Sequence, residues 1–337
     1  MALAIIIAVY LTIIIANAGG YVDEIVIAEL RFNVYEGLRT NPAYKGYPPE
    51  EIKKLAERII EQEIKRMGLD QHFIIRSFSY LYNALTLNLG RAMRMFSSSG
   101  SNRVWDIIGE RLPTTVLLFT TANVLIFTCE LLLGLFLSRK YGSKLDKTII
   151  SLAPLSSMPG WFYGIFMIII FASWLGILPY GGLVDAPPPE EPLLYALNVL
   201  KHMILPLLSW GAAYIPIGAY RMRTFFLMFS MEDYVEYARA RGVPPRIIER
   251  KYILRPVLPP IITDFVLVLI SSWMGAIVTE RVFNWPGVGT LMAEAIGIND
   301  APVIIGTATI FAYLLGISVI VLDLVYALVD PRIKVGE

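Results

Sequence analysis

Residues 230–260 read SMEDYVEYARARGVPPRIIERKYILRPVLPP, a strongly charged segment between two apolar stretches. Ser230 can serve as an N-cap, and Asp233 three positions later approximates a capping box. Glu232, Asp233 and Glu236 crowd the first turns while Arg239 and Arg241 sit in the last, the distribution a helix dipole favours. Gly242 supplies the residue after the C-cap, and Pro244 and Pro245 forbid continuation. The pattern predicts a helix of about ten residues, roughly 15 Å long. A second short helix can open at Pro245, where proline is tolerated, and run through Arg255 before Pro256. Two short charged helices joined by a glycine turn form a feature that another protein can grip. A solvated connecting loop is the plain alternative.

Composition sets the class. Of 337 residues, 56% are hydrophobic and 17% charged, with a mean hydropathy of +0.59. Ordinary soluble domains carry roughly 25% charged residues, so the chain reads as an integral membrane protein. A formal net charge of +1 leaves no basic excess to neutralise phosphates, which argues against a nucleic-acid partner. Cys129 is the single cysteine, so no intrachain disulfide can form.

Residues 2–18 carry no charge and are just long enough to cross a bilayer, which needs ~20 residues. Ala16-Asn17-Ala18 resembles a signal-peptide cleavage site, but no Lys or Arg precedes the apolar run, so residues 1–20 read as a retained first transmembrane helix. Residues 21–111 read as a small helical extracytoplasmic module. Within it, Pro49, Glu50 and Glu51 open an amphipathic helix with Ile52, Leu55, Ile59, Ile60 and Ile64 on one face. His72–Leu89 is partly apolar but interrupted by Arg76, and Tyr21–Tyr47 has no assignment.

Residues 112–337 form the core, with apolar stretches at about 112–138, 148–175, 199–220, 257–279 and 303–328. The loop holding Arg139, Lys140, Lys144 and Lys147 is basic, and eight Lys or Arg fall in 221–255. Residues 176–196 hold none, and Arg281 is alone in 280–301. The positive-inside rule therefore puts 139–147 and 221–255 in the cytoplasm. Six transmembrane helices with both termini cytoplasmic satisfy this, and the fold class is an all-α polytopic membrane protein. The loop with Pro187, Pro188 and Pro189 then lies outside.

Some intramembrane residues stand out. Pro154 and Pro159 each remove a helix hydrogen bond in the third stretch. With Trp161 and Tyr163 following, a kink there lines a polar pathway or merely fits a neighbouring helix. Tyr214, Trp210 and Trp273 suit stacking on sugars or apolar contact with peptides, and equally suit helix packing. Glu130, Asp264 and Asp323 are charges within spans. They read as inter-helix or helix-end hydrogen-bonding groups, with substrate contact as the alternative.

Catalytic patterns are missing. No Gly-Lys dipeptide occurs, so there is no Walker A loop, and no G-x-S-x-G or H-E-x-x-H pattern is present. His72 and His202 are far apart with no ligand spacing around them, so no metal site is expected. The chain reads as non-catalytic and without a cofactor of its own.

Glu236-Tyr-Ala238-Arg-Ala-Arg-Gly242 resembles the EAA motif of ABC importer membrane subunits. With Asp233, Leu254-Arg255 and Leu258-Pro259-Pro260, the run resembles the B-type permease of dipeptide and oligopeptide importers. Met67-Gly-Leu-Asp-Gln71, Leu89-Gly90, Glu110-Arg-Leu-Pro-Thr-Thr115, Glu280-Arg-Val-Phe-Asn-Trp-Pro-Gly-Val-Gly289 and Asp323-Leu-Val-Tyr-Ala-Leu-Val-Asp-Pro-Arg332 agree with it. The first span lacks that family's basic N-terminus, and residues 21–66 are a longer insertion.

The resemblance implies a homologous C-type permease as partner, two cytoplasmic ATPase subunits that bind ATP and Mg, and an extracytoplasmic substrate-binding protein. Asp233, Glu236, Ala238, Arg239, Arg241 and Gly242 would form the coupling helix and its turn, seated on an ATPase. Di- or oligopeptides are the expected cargo, and similar permeases carry oligosaccharides or nickel. A self-contained secondary carrier using Glu130, Asp264 or Asp323 as ion sites is the rival from another class. It predicts inverted repeats, and the two halves share no repeated motif.

Overall fold

The computed structural model describes residues 2–17, 21–44, 46–66, 69–271 and 277–329; among them regular structure is helical, apart from an isolated bridge between Arg91 and Arg103. The helices of the first half are α1 (Ala2–Asn17), α2 (Tyr21–Thr40), α3 (Pro49–Arg66), α4 (Phe73–Leu85), α5 (Val104–Arg139), α6 (Lys144–Leu152) and α7 (Gly160–Met167). Then follow α8 (Pro192–Ser230), α9 (Asp233–Ala240), α10 (Pro245–Ile247), α11 (Arg255–Ser271), α12 (Ile277–Val282), α13 (Val288–Gly297) and α14 (Ala301–Val329). The chain divides into two compact units, Met1–Ile108 with Glu294–Tyr313, and Gly109–Ala293 with Leu314–Glu337.

In the first unit, Val9 and Ile13 of α1 pack with Ala84, Tyr80 and Leu81 of α4 and with Ile305 and Ala312 of α14. The outer face of α4 keeps Ile74, Ile75 and Phe78 exposed, so its surface is apolar on two sides. Tyr21–Tyr47, unassigned from sequence, is mostly the helix α2. It forms a hairpin with α3 in which Leu38 meets Ala56 and Ile60, the face that the apolar spacing of α3 predicts. Asp300 fastens the loop before α5 to the start of α14. Its fully buried carboxylate accepts hydrogen bonds from the backbone amides of Met93, Arg94 and Met95, at 2.8 Å for Arg94.

The second unit is built around α5, α8 and α11, with α7 laid on α8. Met222 and Phe226 of α8 meet Val257 and Ile261 of α11, flanked by Phe127 and Leu131 of α5. Small residues let the helices approach: a Cβ on Gly134 of α5 would strike the Cβ of Met222.

Among the described residues four helices are long and apolar enough to cross a membrane: Val104–Arg139, Pro192–Ser230, Pro245–Leu269 and Ala301–Val321. The fold is the all-α polytopic one expected from sequence; two of the six expected crossings are not single long helices among the described residues. Helix α1 has 16 residues among those described, about 24 Å at 1.5 Å per residue against a ~30 Å hydrocarbon core, and the residues on either side of it lie outside the described set. The third apolar stretch is broken: Lys144–Ser157 and Gly160–Trp174 meet at 98°, and count as a fifth crossing only if taken as one span. Its prolines are the cause. Pro154 sits in a 3-10 turn, and Pro159 is the N-cap of α7 with ψ 155°, an extended residue that no helix can pass through.

The fifth stretch starts earlier than expected. Helix continues from Pro245 through a π-helical turn, Ile248–Leu254, directly into α11, so Pro256 ends nothing. The wide turn shifts the hydrogen-bond register and leaves Pro256 in the first turn of α11, where its missing N–H is not needed. Trp273 lies outside the described residues, as do Met67, Gly68 and 330–332 of the motifs quoted above.

Candidate functional site

The charged segment folds as a lever with a buried foot. Helix α9 has eight residues, about 12 Å, rather than ten. Ser230 is not its cap: it ends α8 and its hydroxyl donates to the Leu227 carbonyl at 2.7 Å. Glu232 takes the N-cap position without a side-chain hydrogen bond. The C-terminal turn is as the glycine predicts. Gly242 has φ +72°, its N–H donates to the Arg239 carbonyl at 2.9 Å and that of Val243 to the Ala238 carbonyl at 3.2 Å. These two bonds make a Schellman closure, and Val243 packs back on the Ala238 cluster as that motif requires.

Val235 and Ala238 are buried against Ile248, with Tyr252 and Ile253 beside them. The π-helical turn is thus the seat of α9. Asp233, Glu236, Arg239, Arg241 and Gly242 are exposed. Sequence reasoning missed the aromatic part of this face: Tyr237 is 65% exposed, with the Arg241 guanidinium 5.6 Å over its ring. Of the predicted coupling residues, Ala238 alone points inward, where a larger side chain would lift α9 off its seat.

Two basic residues assigned to the loop belong to α8 instead. Arg223 is buried and donates from Nη2 to Asp146 Oδ2 at 2.9 Å, with a second bond from Nε to Oδ1. Asp146 also accepts from the Gly142 amide at 2.9 Å, so the basic turn before α6 is locked to α8. Arg221 lies 2.9 Å from Asp264 Oδ2 of α11 and 3.5 Å from Glu130 Oε2 of α5. Glu130 and Asp264, separate charges in the sequence, are joined through this guanidinium.

The cluster lines a cavity of about 440 Å³, together with Asn123, Trp210 and Tyr214. Of the aromatic residues singled out in the sequence, Trp210 and Tyr214 are at this cavity among the described residues. Pro159 lies at the break before α7 and Trp161 and Tyr163 in its first turn, where Tyr163 donates to the Leu155 carbonyl at 2.6 Å and Trp161 meets Phe162 edge-on. Asp323 lies in α14, in the same unit by chain position.

A third buried group unites two quoted motifs. Glu280, fully buried, accepts from the Thr115 hydroxyl at 2.7 Å and from the Thr290 amide at 2.8 Å. Thr115 in turn accepts from the Val288 amide at 2.7 Å. Gly287 is required here, because a Cβ would overlap both the Glu280 carboxyl and the Thr115 hydroxyl. On the opposite end of α8 the loop 181–185 is tied down. Asp185 accepts from Asn198 Nδ2 at 2.6 Å and meets His202 Nε2 at 3.1 Å. Hydrogen bonds from Asn198, then His202, hold the Asp185 carboxyl below the usual carboxylate range.

The profile of the binding-protein-dependent transport system inner membrane component family matches residues 130–335, which include α9, its seat and the Arg221 cluster. The chain belongs to this family. It is a multi-pass permease subunit of an ABC importer. Among relatives, it is 30% identical over 288 residues to the di/tripeptide transport system permease protein DppB of Pseudomonas aeruginosa, covering 81% of this chain and 84% of that one. It is 28% identical to the oligopeptide transport system permease protein AppB of Bacillus subtilis, over 83% and 87% of the two chains. A solved structure of the MetNI methionine ABC transporter in inward-facing conformations shares the fold, with TM-score 0.51 at 19% identity over 66% of this chain and 96% of that chain.

Proposed function

We propose that this permease imports di- or oligopeptides and is driven through α9 by cytoplasmic ATPase subunits. The observation that carries the coupling role is the construction of α9: a buried foot of Val235 and Ala238, a Schellman-closed Gly242 and an outer face of Asp233, Glu236, Tyr237 and Arg241. A short helix fixed to the π-helical start of a membrane-crossing helix transmits a rigid-body push into that helix. The names of the relatives support a peptide cargo.

The working assembly pairs this chain with a homologous C-type permease. Two ATPase subunits bind ATP and Mg, and an extracytoplasmic binding protein delivers the cargo. This chain carries no catalytic step, and both its termini lie in the cytoplasm. Purification of the assembled transporter tests the docking: Glu236→Lys on the exposed face should reduce co-purified ATPase several-fold while the permease remains in the membrane. Undiminished ATPase would remove α9 as the docking element. Titration of the partner binding protein with tripeptides against oligosaccharides tests the cargo.

A further inference from the structure

The cavity between α5, α8 and α11 holds two carboxyl groups and one guanidinium. Arg221 is spent mainly on Asp264, at 2.9 and 3.3 Å. Among the described residues Glu130, whose side chain is only 8% exposed, is met by Arg221 at 3.5 Å. Its room is carved from the opposite helix: a Cβ on Gly218 would overlap the Glu130 carboxyl. Burying a carboxylate costs several kcal/mol unless opposite charge and hydrogen bonds return it, so with both carboxyls ionised the cluster is one positive charge short.

The walls fit that cation. Trp210 and Tyr214 line the same space with ring centroids 5.3 Å apart, and aromatic faces attract ammonium and guanidinium groups. The volume of about 440 Å³ is in the range of small-ligand sites, about 300–1,000 Å³. Among the described residues no set of three or more His, Cys, Asp or Glu is placed to hold a metal ion, and hard divalent cations ask for roughly six or more oxygens. An organic cation suits two carboxyls and two rings better.

We infer that this cavity is a subsite for a positively charged group on the transported solute, with Glu130 and Asp264 as its counter-charges and the Trp210 and Tyr214 rings as its walls. The assignment of that group to the α-ammonium of a peptide rests on the proposed cargo; the cation preference of the cavity does not.

Two measurements separate these. In the assembled transporter, with exposed Cys129 replaced by serine, Tyr214→Cys is labelled by a trimethylammonium methanethiosulfonate and by its sulfonate analogue. The cationic reagent should react about tenfold faster than the anionic one after correction for their intrinsic rates, as expected of a cavity of one charge sign. Glu130→Gln and, independently, Asp264→Asn should each reduce that preference several-fold. In proteoliposomes, trialanine and N-acetyl-trialanine are then compared, and the same substitutions should lower the free-amine to acetylated uptake ratio relative to the parent.

No cation preference, no labelling by either reagent, or a preference that neither carboxamide moves would overturn the subsite. Equal loss of both peptides with an unchanged labelling ratio would make the cluster a structural clamp and overturn it too. A cation preference in a transporter that carries neither peptide would support the subsite and reject the peptide cargo.

Discussion

Gly242 holds φ +72° with open space where a Cβ would be, so a substitution there is limited by backbone strain alone. A left-handed residue with a β-branched side chain costs roughly 1–2 kcal/mol, enough to unwind the Schellman closure and release α9 from its fixed angle. Gly242→Val should therefore leave the protein inserted, as judged by membrane fractionation, but lower the peptide uptake per ATP hydrolysed by several-fold. Unchanged stoichiometry would show that the turn does not transmit the stroke. Glu280 makes the opposite kind of residue-scale demand, because it is fully buried with both oxygens in use. Thr115→Val removes a donor and leaves a buried carboxyl oxygen unpaired, at a cost of about 1–3 kcal/mol. Thermal unfolding in detergent should show the loss, and an unaltered midpoint would mean that the clasp between α5 and the 280–290 segment adds nothing to stability.

At the scale of elements, what was legible in the sequence depended on whether the signal was local. Gly242 and the double proline fixed the end of α9, because a left-handed cap and a missing N–H act within one turn. Its start was misread, because Ser230 is claimed by the preceding helix, whose length depends on packing along all of α8. The π-helical turn left no sequence signal. Pro256 pointed to a helix end, and the register shift that accommodates it lies where α9 packs on Ile248 and Ile253. The candidate site followed the same rule. Arg221, Glu130 and Asp264 are 43 or more positions apart in sequence, so no pattern could join them, though each was conspicuous as a charge near or within an apolar run. The Arg223–Asp146 lock was equally hidden. Breaking one side of such a buried pair costs about 3–5 kcal/mol, so Asp146→Asn should destabilise strongly. An apolar pair, Asp146→Leu with Arg223→Met, should recover much of that loss. The loop 181–185 makes a pH prediction of its own. Because the folded Asp185 carboxyl sits below its unfolded value, its contribution is complete above about pH 4 and lost as pH falls through the depressed value. Limited proteolysis of the 186–190 loop should thus be insensitive to Asp185 between pH 7 and 5, and increase for Asp185→Asn throughout that range.

On the scale of the whole chain, the remaining question is which way it faces, and the structure changes the charge count behind that answer. Arg223 is a buried ion-pair member of α8, and the half-exposed Arg221 is paired with Asp264 and Glu130, so both say little about orientation. The remaining six basic residues of 239–255 still contrast with none in 176–196. The contrast is also spatially coherent within the second unit. Arg139, at the end of α5, pairs with Glu249 of the π-helical turn, so the basic turn 140–143 and the seat of α9 share one end of the bundle. Asp185, bonded to Asn198 and His202, and the cis Ala186-Pro187 bond lie by the other end of α8, 39 residues long. Each Lys or Arg held near the membrane surface resists transfer, so the shared basic end should remain cytoplasmic even if one contributor is removed. Alkaline phosphatase, active only outside, fused after Gly142 should be inactive, and fused after Pro188 it should be active. Replacing Arg139, Lys140, Lys144 and Lys147 together by glutamine should leave both readings unchanged, because the 239–255 charges hold the same end. An inverted pattern in the parent would put α9 on the side without ATP and reject the coupling proposal outright. Inversion in the four-fold variant alone would show that the first basic turn, not the α9 segment, sets the orientation.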